Sequence, residues 1–168
     1  CRPVEGVEED LLIDPYTLGV WLGDGTVGNS CYTDGGDGIY EILSSLGEQL
    51  SVPRKPWPGS KAGSVTIYGL SLKLSQLGLL GSHSYERFIP AEYLLASIPQ
   101  RLALLQGILD TDGTVGRRNN TVVLDITSEQ LAIGVAALVQ SLGGLVRRTG
   151  KQGQYNGKIC RWVYRLFI

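Results

Sequence analysis

Two similar stretches decide the fold of this chain, TLGVWLGDG at residues 17–25 and LQGILDTDG at residues 105–113. Each is apolar, carries glycine within it, and runs into the same tetrapeptide, Asp-Gly-Thr-Val, at residues 24–27 and 112–115. A weaker similarity follows, because residues 39–47 align with residues 135–143. Two long copies are too few for a solenoid, so the repeat predicts two related halves about a pseudo-twofold axis.

Each copy opens on a predicted helix that ends at a glycine. The first helix, over residues 15–22, has Asp14 as its N-cap and Pro15 at its first position, and it stops at Gly25. The second covers residues 99–109 and stops at Gly113. Both helices are followed by strand-rich sequence, a further helix and two more strands.

The predicted fold class is therefore α+β, with two α-β-β-α-β-β halves that form a saddle of two antiparallel sheets. The division by residue number is an acidic N-terminal segment at 1–14, a first half with its linker at 15–98, and a second half at 99–168. The later elements are expected as strands at 26–32 and 114–127, helices at 38–50 and 128–142, strand pairs at 52–57 with 64–68 and at 145–149 with 158–167, a short helix at 70–79 and a connection at 85–95.

Composition excludes several classes of protein. Of the 168 residues, 43% are hydrophobic and 18% are charged, which is ordinary for a folded globular protein and argues against disorder. No apolar run approaches the roughly 20 residues that a membrane-spanning helix needs. The three cysteines are far apart and odd in number, which argues against a disulfide framework or a zinc knuckle. We therefore expect a reducing, intracellular setting, cytoplasmic or nucleoid-associated.

Charge is unevenly distributed although the net charge is only −1. Five acidic residues lie within the first fourteen positions. From residue 113 onward, two acidic residues face eight basic ones, namely Arg117, Arg118, Arg147, Arg148, Lys151, Lys158, Arg161 and Arg165. This local excess of positive charge fits a nucleic-acid surface, and it fits solvated hairpins equally well.

Asp24 and Asp112 lie at the ends of two apolar helices, where burial of a charge is unfavourable unless another group compensates it. If the helices pack through Gly19, Gly23 and Gly107, the two carboxylates meet at one end of the interface. There they could hold Mg²⁺, which prefers carboxylate and carbonyl oxygens. An Asp-Gly turn after a core helix explains either copy alone, but duplication at corresponding positions favours the cation site.

Two other motifs overlap these residues. Residues 23–28 match the dinucleotide pattern G-x-G-x-x-G, but an acid inside that loop would repel pyrophosphate and the preceding segment is helical in pattern. Residues 110–113 begin like a calcium loop, but Val115 and Thr121 occupy the positions that require glycine and glutamate. Neither motif supplies a function.

Residues 17–25 and 105–113 resemble the two motif copies of the LAGLIDADG homing endonuclease family, the second more specifically. Residues 14–19, and residues 88–94 running into 101–107, look like the endonuclease domains embedded in inteins, particularly those of replicative helicases. The resemblance covers nearly the whole chain. It implies a monomeric, single-chain enzyme whose sheets straddle the DNA major groove and cut both strands with Mg²⁺ or Mn²⁺, held at Asp24 and Asp112 with Gly23 and Thr111.

The same resemblance places a basic residue, commonly lysine, two positions before the Ile89-Pro90 pair, where this chain has Arg87. Arginine can stabilise a phosphorane but is a poor proton shuttle, so Arg87 is expected to be an electrostatic helper in catalysis. Its second-half counterpart is expected around Arg147, Arg148 or Lys151. The expected contacts to double-stranded DNA are Arg54, Lys55, Lys61, Thr66 and Tyr68 in the first half, and Arg117, Arg118, Asn119, Arg147, Arg148, Lys151, Lys158 and Arg161 in the second.

Protein splicing is a separate expectation. Cys1 is a suggestive nucleophile, but splicing also needs a terminal Asn, usually after His, and a β-rich splicing domain. The sequence ends in Ile168 and its one histidine, His83, is mid-chain. We therefore expect the nuclease portion of an intein, originally fused to a splicing domain. The predicted function is site-specific double-strand DNA cleavage, and the alternatives are a catalytically decayed DNA-binding module or a structural insert.

Overall fold

A computed structural model describes residues 2–55, 58–116, 121–155 and 158–168; Cys1 lies outside these ranges. Within them the chain is a mixture of helices and antiparallel strands. The elements are α1 (Pro15–Asp24), β1 (Cys31–Asp34), α2 (Ile39–Ser45), β2 (Gly63–Thr66), α3 (Leu70–Gln76), α4 (Ala91–Leu95), α5 (Ile98–Asp112), β3 (Gly113–Val115), β4 (Val122–Ile126), α6 (Glu129–Ser141), β5 (Arg147–Tyr155) and β6 (Lys158–Phe167).

Helices α1 and α5 pack directly against each other at the centre of the molecule. The sequence sets where they begin: the Asp14 carboxylate accepts from Thr17 N at 3.1 Å, and Gln100 Oε1 accepts from Ser97 N at 3.1 Å. Residues 15–22 of α1 are buried throughout. An amphipathic surface helix would not be buried on every side, so α1 is a core helix.

Glycine lets the two helix backbones touch, as predicted. A Cβ added at Gly19 would lie 2.4 Å from Leu104 O and 3.0 Å from the Cα of Gly107. A Cβ added at Gly107 would lie 2.3 Å from Tyr16 O. Because these neighbours are backbone atoms that cannot swing away, any larger residue would force the helices apart.

The strand order of the second sheet is repeated in the first, where isolated bridges take the place of the two outer strands. The second sheet runs β3-β4-β6-β5, with every neighbouring pair antiparallel. The first sheet consists of β1 and β2, flanked by isolated bridges from Gly25 to Tyr32 on one side and from Leu50 and Arg54 to β2 or its extension on the other. The predicted α+β class with two antiparallel sheets is confirmed.

Several predicted elements differ in extent. The strand expected at 52–57 is reduced to the bridge at Arg54, because Pro53 has no N–H to donate to a ladder; residues 56 and 57 lie outside the described ranges. Helix α2 is shorter than expected and ends before Gly47, whose φ of 85° is left-handed. The connection between the halves contains the short helix α4, which was not predicted.

The N-terminal segment is attached to the second half. Val4 N donates to Ser141 O at 2.8 Å, and Gln100 Nε2 donates to Glu9 O at 2.6 Å. The buried guanidinium of Arg101 donates to Ala96 O at 2.9 Å and also to Val4 O. Within the described ranges, no helix combines the length and the apolar character that crossing a membrane requires.

Candidate active site

Asp24 and Asp112 are the last residues of α1 and α5, whose C-terminal ends lie side by side. Gly23 marks how close the ends are. A Cβ added at Gly23 would lie 1.9 Å from Thr111 Oγ1 and 3.5 Å from a carboxylate oxygen of Asp112. Two acidic groups from positions 88 residues apart in the sequence are therefore brought to one place.

The electrostatics of the two carboxylates are linked. Burial raises the pKa of Asp24, and the Arg87 charge partly offsets that rise. Asp112 is accessible to water along one side, but the protein around it, followed by the Asp24 charge, raises its pKa to about 6, against a lowering contribution from Arg87. Each helix also presents the negative end of its dipole here. The site thus concentrates negative charge that a cation would relieve.

Arg87 is the cation next to these carboxylates, and it is almost fully buried. Its Nη1 donates to the carbonyl oxygens of Trp21, Leu22 and Gly23 at 3.2, 3.0 and 2.9 Å, and its Nη2 donates to Gly25 O. Its guanidinium carbon also lies 4.6 Å from the centre of the Trp21 ring.

This geometry makes Arg87 a side-chain cap for the C-terminal carbonyls of α1. Burial lowers the pKa of Arg87, while the charges of Asp112 and Asp24 raise it. Ser128, the N-cap of α6, donates from Oγ to Arg87 O at 2.6 Å and accepts from Leu131 N, so α6 also fixes the backbone of Arg87. Arg87 lies close to both carboxylates, but its donors point to the end of α1.

The donor set suits a hard divalent cation. Two carboxylates stand at helix ends, and the Gly23 carbonyl beside them already accepts from Arg87. Thr111 is more limited than predicted, because its hydroxyl donates back to Gly107 O and Ile108 O at 3.2 and 2.9 Å, within its own helix. Among the described residues, no group of three or more His, Cys, Asp or Glu side chains is gathered as a metal cage. Mg²⁺ commonly keeps several waters and takes only one or two carboxylates.

Asp112 opens onto a cleft of about 280 Å³ lined by Thr114, Val123, Asp125 and Arg165. Arg165 is the basic residue that lines this cleft among the described residues, because the register pairs Asp125 of β4 with Arg165 of β6. The expected counterpart of Arg87 around Arg147, Arg148 or Lys151 stays a prediction, and of these Lys151 is close enough for its charge to lower the pKa of Asp125.

The cleft belongs to the open face of the second sheet, which we define as the face turned away from the buried side chains of Leu124, Ile126 and Leu166. Partners in antiparallel strands share a face. Arg147 pairs with Phe167, and Lys151 pairs with Val163, so both lie on the open face.

Arg148, also expected as a DNA contact, lies on the other face of the sheet, since it pairs with buried Leu166 and lines a cleft against α6. Arg161 stacks on Tyr85 of the connection between the halves, with its guanidinium carbon 3.6 Å from the ring centre. Lys158 is exposed at the start of β6. Three further predicted contacts, Arg117, Arg118 and Asn119, lie outside the described residues.

In the first sheet the open face is the side opposite buried Tyr32, Val65 and Ile67. Thr66 pairs with Cys31 on that face, and Arg54 bridges to exposed Ser64. The other predicted first-half contacts are all exposed, namely Lys55, Lys61 and Tyr68.

Sequence reasoning missed two polar contacts near the site. The Tyr16 hydroxyl donates to a carboxylate oxygen of Asp110 at 2.9 Å and ties α1 to α5. Arg165 Nε donates to Asp125 Oδ1 at 2.7 Å across β4 and β6. No local pattern links partners 94 and 40 residues apart, although alternation along each strand could have placed Asp125 and Arg165 on one face.

Comparison with known sequences supports the family. A model described as a LAGLIDADG-like domain matches residues 99–166. The replicative DNA helicase DnaB of Mycobacterium intracellulare is 36% identical over 143 residues, which are 85% of this chain and 21% of the helicase. The chain therefore spans about a fifth of that relative's length.

Solved structures show the same fold. The crystal structure of the homing endonuclease I-DmoI in complex with DNA and Mn has a TM-score of 0.54 at 16% identity, covering 93% of this chain and 88% of that one. Mesophilic variants of I-DmoI have a TM-score of 0.53 at 15% identity, covering 93% and 87%. The second half thus matches the LAGLIDADG-like family model, and nearly the whole chain has the LAGLIDADG homing endonuclease fold.

Proposed function

We propose that this protein is a site-specific double-strand DNA endonuclease, in which Asp24 and Asp112 hold divalent cations and each half cuts one strand. The observation that carries the proposal is the convergence of these two carboxylates at adjoining helix ends, with the pKa of each raised by its surroundings. The family's fold and the cleft beside Asp112 agree with it.

The carboxylates supply the cation site, and Mg²⁺ or Mn²⁺ is the group that fits. When bound, such an ion supplies Lewis-acid polarisation of the phosphodiester and activation of water. The residues of this chain do the rest. Asp24 and Asp112 are fixed at their helix ends, and glycine at 19, 23 and 107 holds those ends together.

Arg87 acts in this proposal on the carboxylates and not directly on phosphate. Its charge lowers the pKa of both Asp24 and Asp112 and so favours their ionised forms. Its hydrogen bonds to the C-terminal carbonyls of α1 keep Asp24 in place. Gly23 and Thr111 would contribute through their backbone carbonyls, since the Thr111 hydroxyl is already occupied.

The open faces of the two sheets form the proposed saddle for double-stranded DNA, with the two halves related by a pseudo-twofold axis. Arg54 and Thr66 on the first sheet and Arg147 and Lys151 on the second face that surface. Each phosphate contact releases counterions, so we expect DNA binding to weaken as salt rises, and because the cations are few we expect a shallow salt slope.

The match inside a replicative helicase suggests where the chain belongs. Since the matched segment is 21% of that helicase, we propose that the chain is an insert of the intein kind, once fused to a splicing domain and working as a monomer in the intracellular compartment that holds DNA.

The test is cleavage of a duplex that spans the uninterrupted helicase gene, in the presence of Mg²⁺. We expect a double-strand cut by the wild type, and its loss in Asp24→Asn and Asp112→Asn with the salt-sensitive gel shift retained. Asp37→Asn, an exposed loop change, is the matched control and should cut normally.

Two other outcomes identify the alternatives. A gel shift without cleavage in the wild type would indicate a DNA-binding module that has lost its chemistry. Neither a shift nor cleavage would indicate a structural insert. Aspartate variants that lose cleavage only because they no longer bind DNA would contradict the assignment of Asp24 and Asp112 as metal ligands.

A further inference from the structure

Asp125 and Arg165 form a planar ion pair at the centre of the second sheet. Strands β4 and β6 are neighbours in the middle of that sheet, and their register places the two residues directly opposite each other. Arg165 Nε donates to Asp125 Oδ1 at 2.7 Å, and Nη2 donates to Oδ2 at 2.5 Å. Both donor–acceptor pairs run side by side, so the carboxylate fixes the plane of the guanidinium.

The pair faces the proposed DNA surface. Asp125 lies between buried Leu124 and Ile126 in β4, so its side chain points to the open face. Asp125 and Arg165 line the cleft onto which Asp112 opens. Their side chains remain 41% and 35% exposed, which leaves room for a ligand to reach them.

An acid on a surface that meets phosphate needs an explanation, because a lone carboxylate there would repel DNA. Here both oxygens of Asp125 are taken up by Arg165, and the pair carries no net charge. An ion pair this exposed contributes little to folding, so stability does not account for it well. What it does provide is a single fixed orientation for one arginine.

The free end of that arginine has a defined chemistry. Nε and one hydrogen of Nη2 face Asp125, so Nη1 and the other Nη2 hydrogen are directed away from it. In the part of the chain that the structure describes, no acceptor contacts Nη1. Two parallel N–H groups of this kind match the O6 and N7 acceptors of guanine in the major groove.

We propose that Arg165, held in position by Asp125, reads a guanine in the half of the target that the second sheet covers. Arg165 is then a specificity-determining residue and Asp125 a positioning residue. This inference rests on the proposed DNA-binding function and assigns one base contact within it.

The experiment selects bound duplexes from a pool with a randomised central stretch, in EDTA so that cleavage is absent. The wild type, Arg165→Lys, Asp125→Asn and Arg148→Lys are compared. Arg165→Lys keeps the positive charge and removes the two parallel N–H donors. Asp125→Asn removes the carboxylate that fixes the orientation of Arg165. Arg148→Lys is the matched control on the opposite face of the same sheet.

We expect the wild type and Arg148→Lys to enrich a guanine at one position. Substituting that guanine should weaken wild-type binding by roughly 5- to 150-fold, the range for one bidentate arginine contact. For Arg165→Lys, affinity for the guanine duplex divided by affinity for the substituted duplex should fall close to one, while affinity for unrelated duplexes is unchanged. Asp125→Asn should also lower the ratio, and it decides the question if Arg165→Lys does not fold.

The outcomes separate the inference from the function on which it rests. A wild type that binds no duplex overturns the proposed function and, with it, this inference. A wild type that selects a sequence whose guanine preference is the same in Arg165→Lys and Asp125→Asn leaves the function standing and overturns the role of Arg165. Loss of binding to all duplexes equally, without loss of preference, would assign Arg165 to phosphate instead.

Discussion

Gly107→Ala tests whether backbone contact between α1 and α5 sets the geometry of the site. The added methyl group would lie 2.3 Å from Tyr16 O, 2.9 Å from Val20 N and 3.1 Å from the Cα of Gly19. Ordinary contacts between such atoms are about 3.5 Å, so the helices must separate by roughly 1 Å. Both aspartates would move with their helices.

The cost follows from two opposing effects. Overpacking against backbone lies at the upper end of its usual range, about 3 kcal/mol, because no side chain can move away. Replacing glycine by alanine inside a helix returns about 1 kcal/mol. We expect a net loss near 2 kcal/mol in the free energy of unfolding, or about 4–8 °C in Tm for a chain of this length. Cleavage should fall by about 100-fold, since a 1 Å displacement of catalytic groups has that effect.

The assay is urea denaturation followed by tryptophan fluorescence, together with the cleavage rate at saturating Mg²⁺. Gly134→Ala is the matched control, because the three atoms nearest to its added methyl group belong to the Ile89 side chain, at 3.2–3.4 Å, and not to backbone. That variant should be within about 0.5 kcal/mol of wild type or more stable. If Gly107→Ala unfolds at the wild-type urea concentration, the claim that direct backbone contact holds the site together is refuted.

Three further predictions concern charge and hydrogen bonding at the site. Arg87→Met leaves the carbonyls of α1 and two carboxylates without their cation, and should lower the free energy of unfolding by about 3–5 kcal/mol in urea titrations; a loss below about 1 kcal/mol would contradict its capping role. Asp112 has its pKa raised from 3.8 to about 6, so the metal-free folded protein holds this proton more tightly than the unfolded chain does. The free energy of unfolding of the metal-free protein should therefore fall as pH rises between these values. Mn²⁺ affinity measured by calorimetry should rise over the same interval, and an affinity independent of pH there would count against Asp112 as a ligand. Tyr16→Phe removes the 2.9 Å bond to Asp110 and should cost about 1.5–3 kcal/mol, and an unchanged urea midpoint would show that the bond does not help hold α1 to α5.

Local chemistry made part of this fold predictable. The N-cap at Asp14 was found because the cap and its partner, Thr17 N, are three residues apart. The glycines after the two helices were predicted as stops, but their φ values of −65° and −74° are not left-handed. They are required because a Cβ at Gly25 or Gly113 would lie 2.3 or 2.4 Å from the carbonyl oxygen four residues earlier.

Long-range geometry could not be obtained in the same way. The family pattern places Arg87 near Asp24. The orientation of the Arg87 side chain, however, depends on Trp21, on the end of α1 and on Ser128 of α6. The faces of Arg147 and Arg148 depend on which residue of β6 each one opposes. A shift of one residue would exchange them, and the sequence of β5 has no alternation of apolar residues that would fix the register.

Anomalous diffraction from crystals of this protein soaked in Mn²⁺ tests the central claim most directly. We predict anomalous density between the carboxylates of Asp24 and Asp112, which disappears in Asp112→Asn crystals treated in the same way. Density elsewhere with none at these two residues, or carboxylates that turn away from each other when the ion is supplied, would contradict the account.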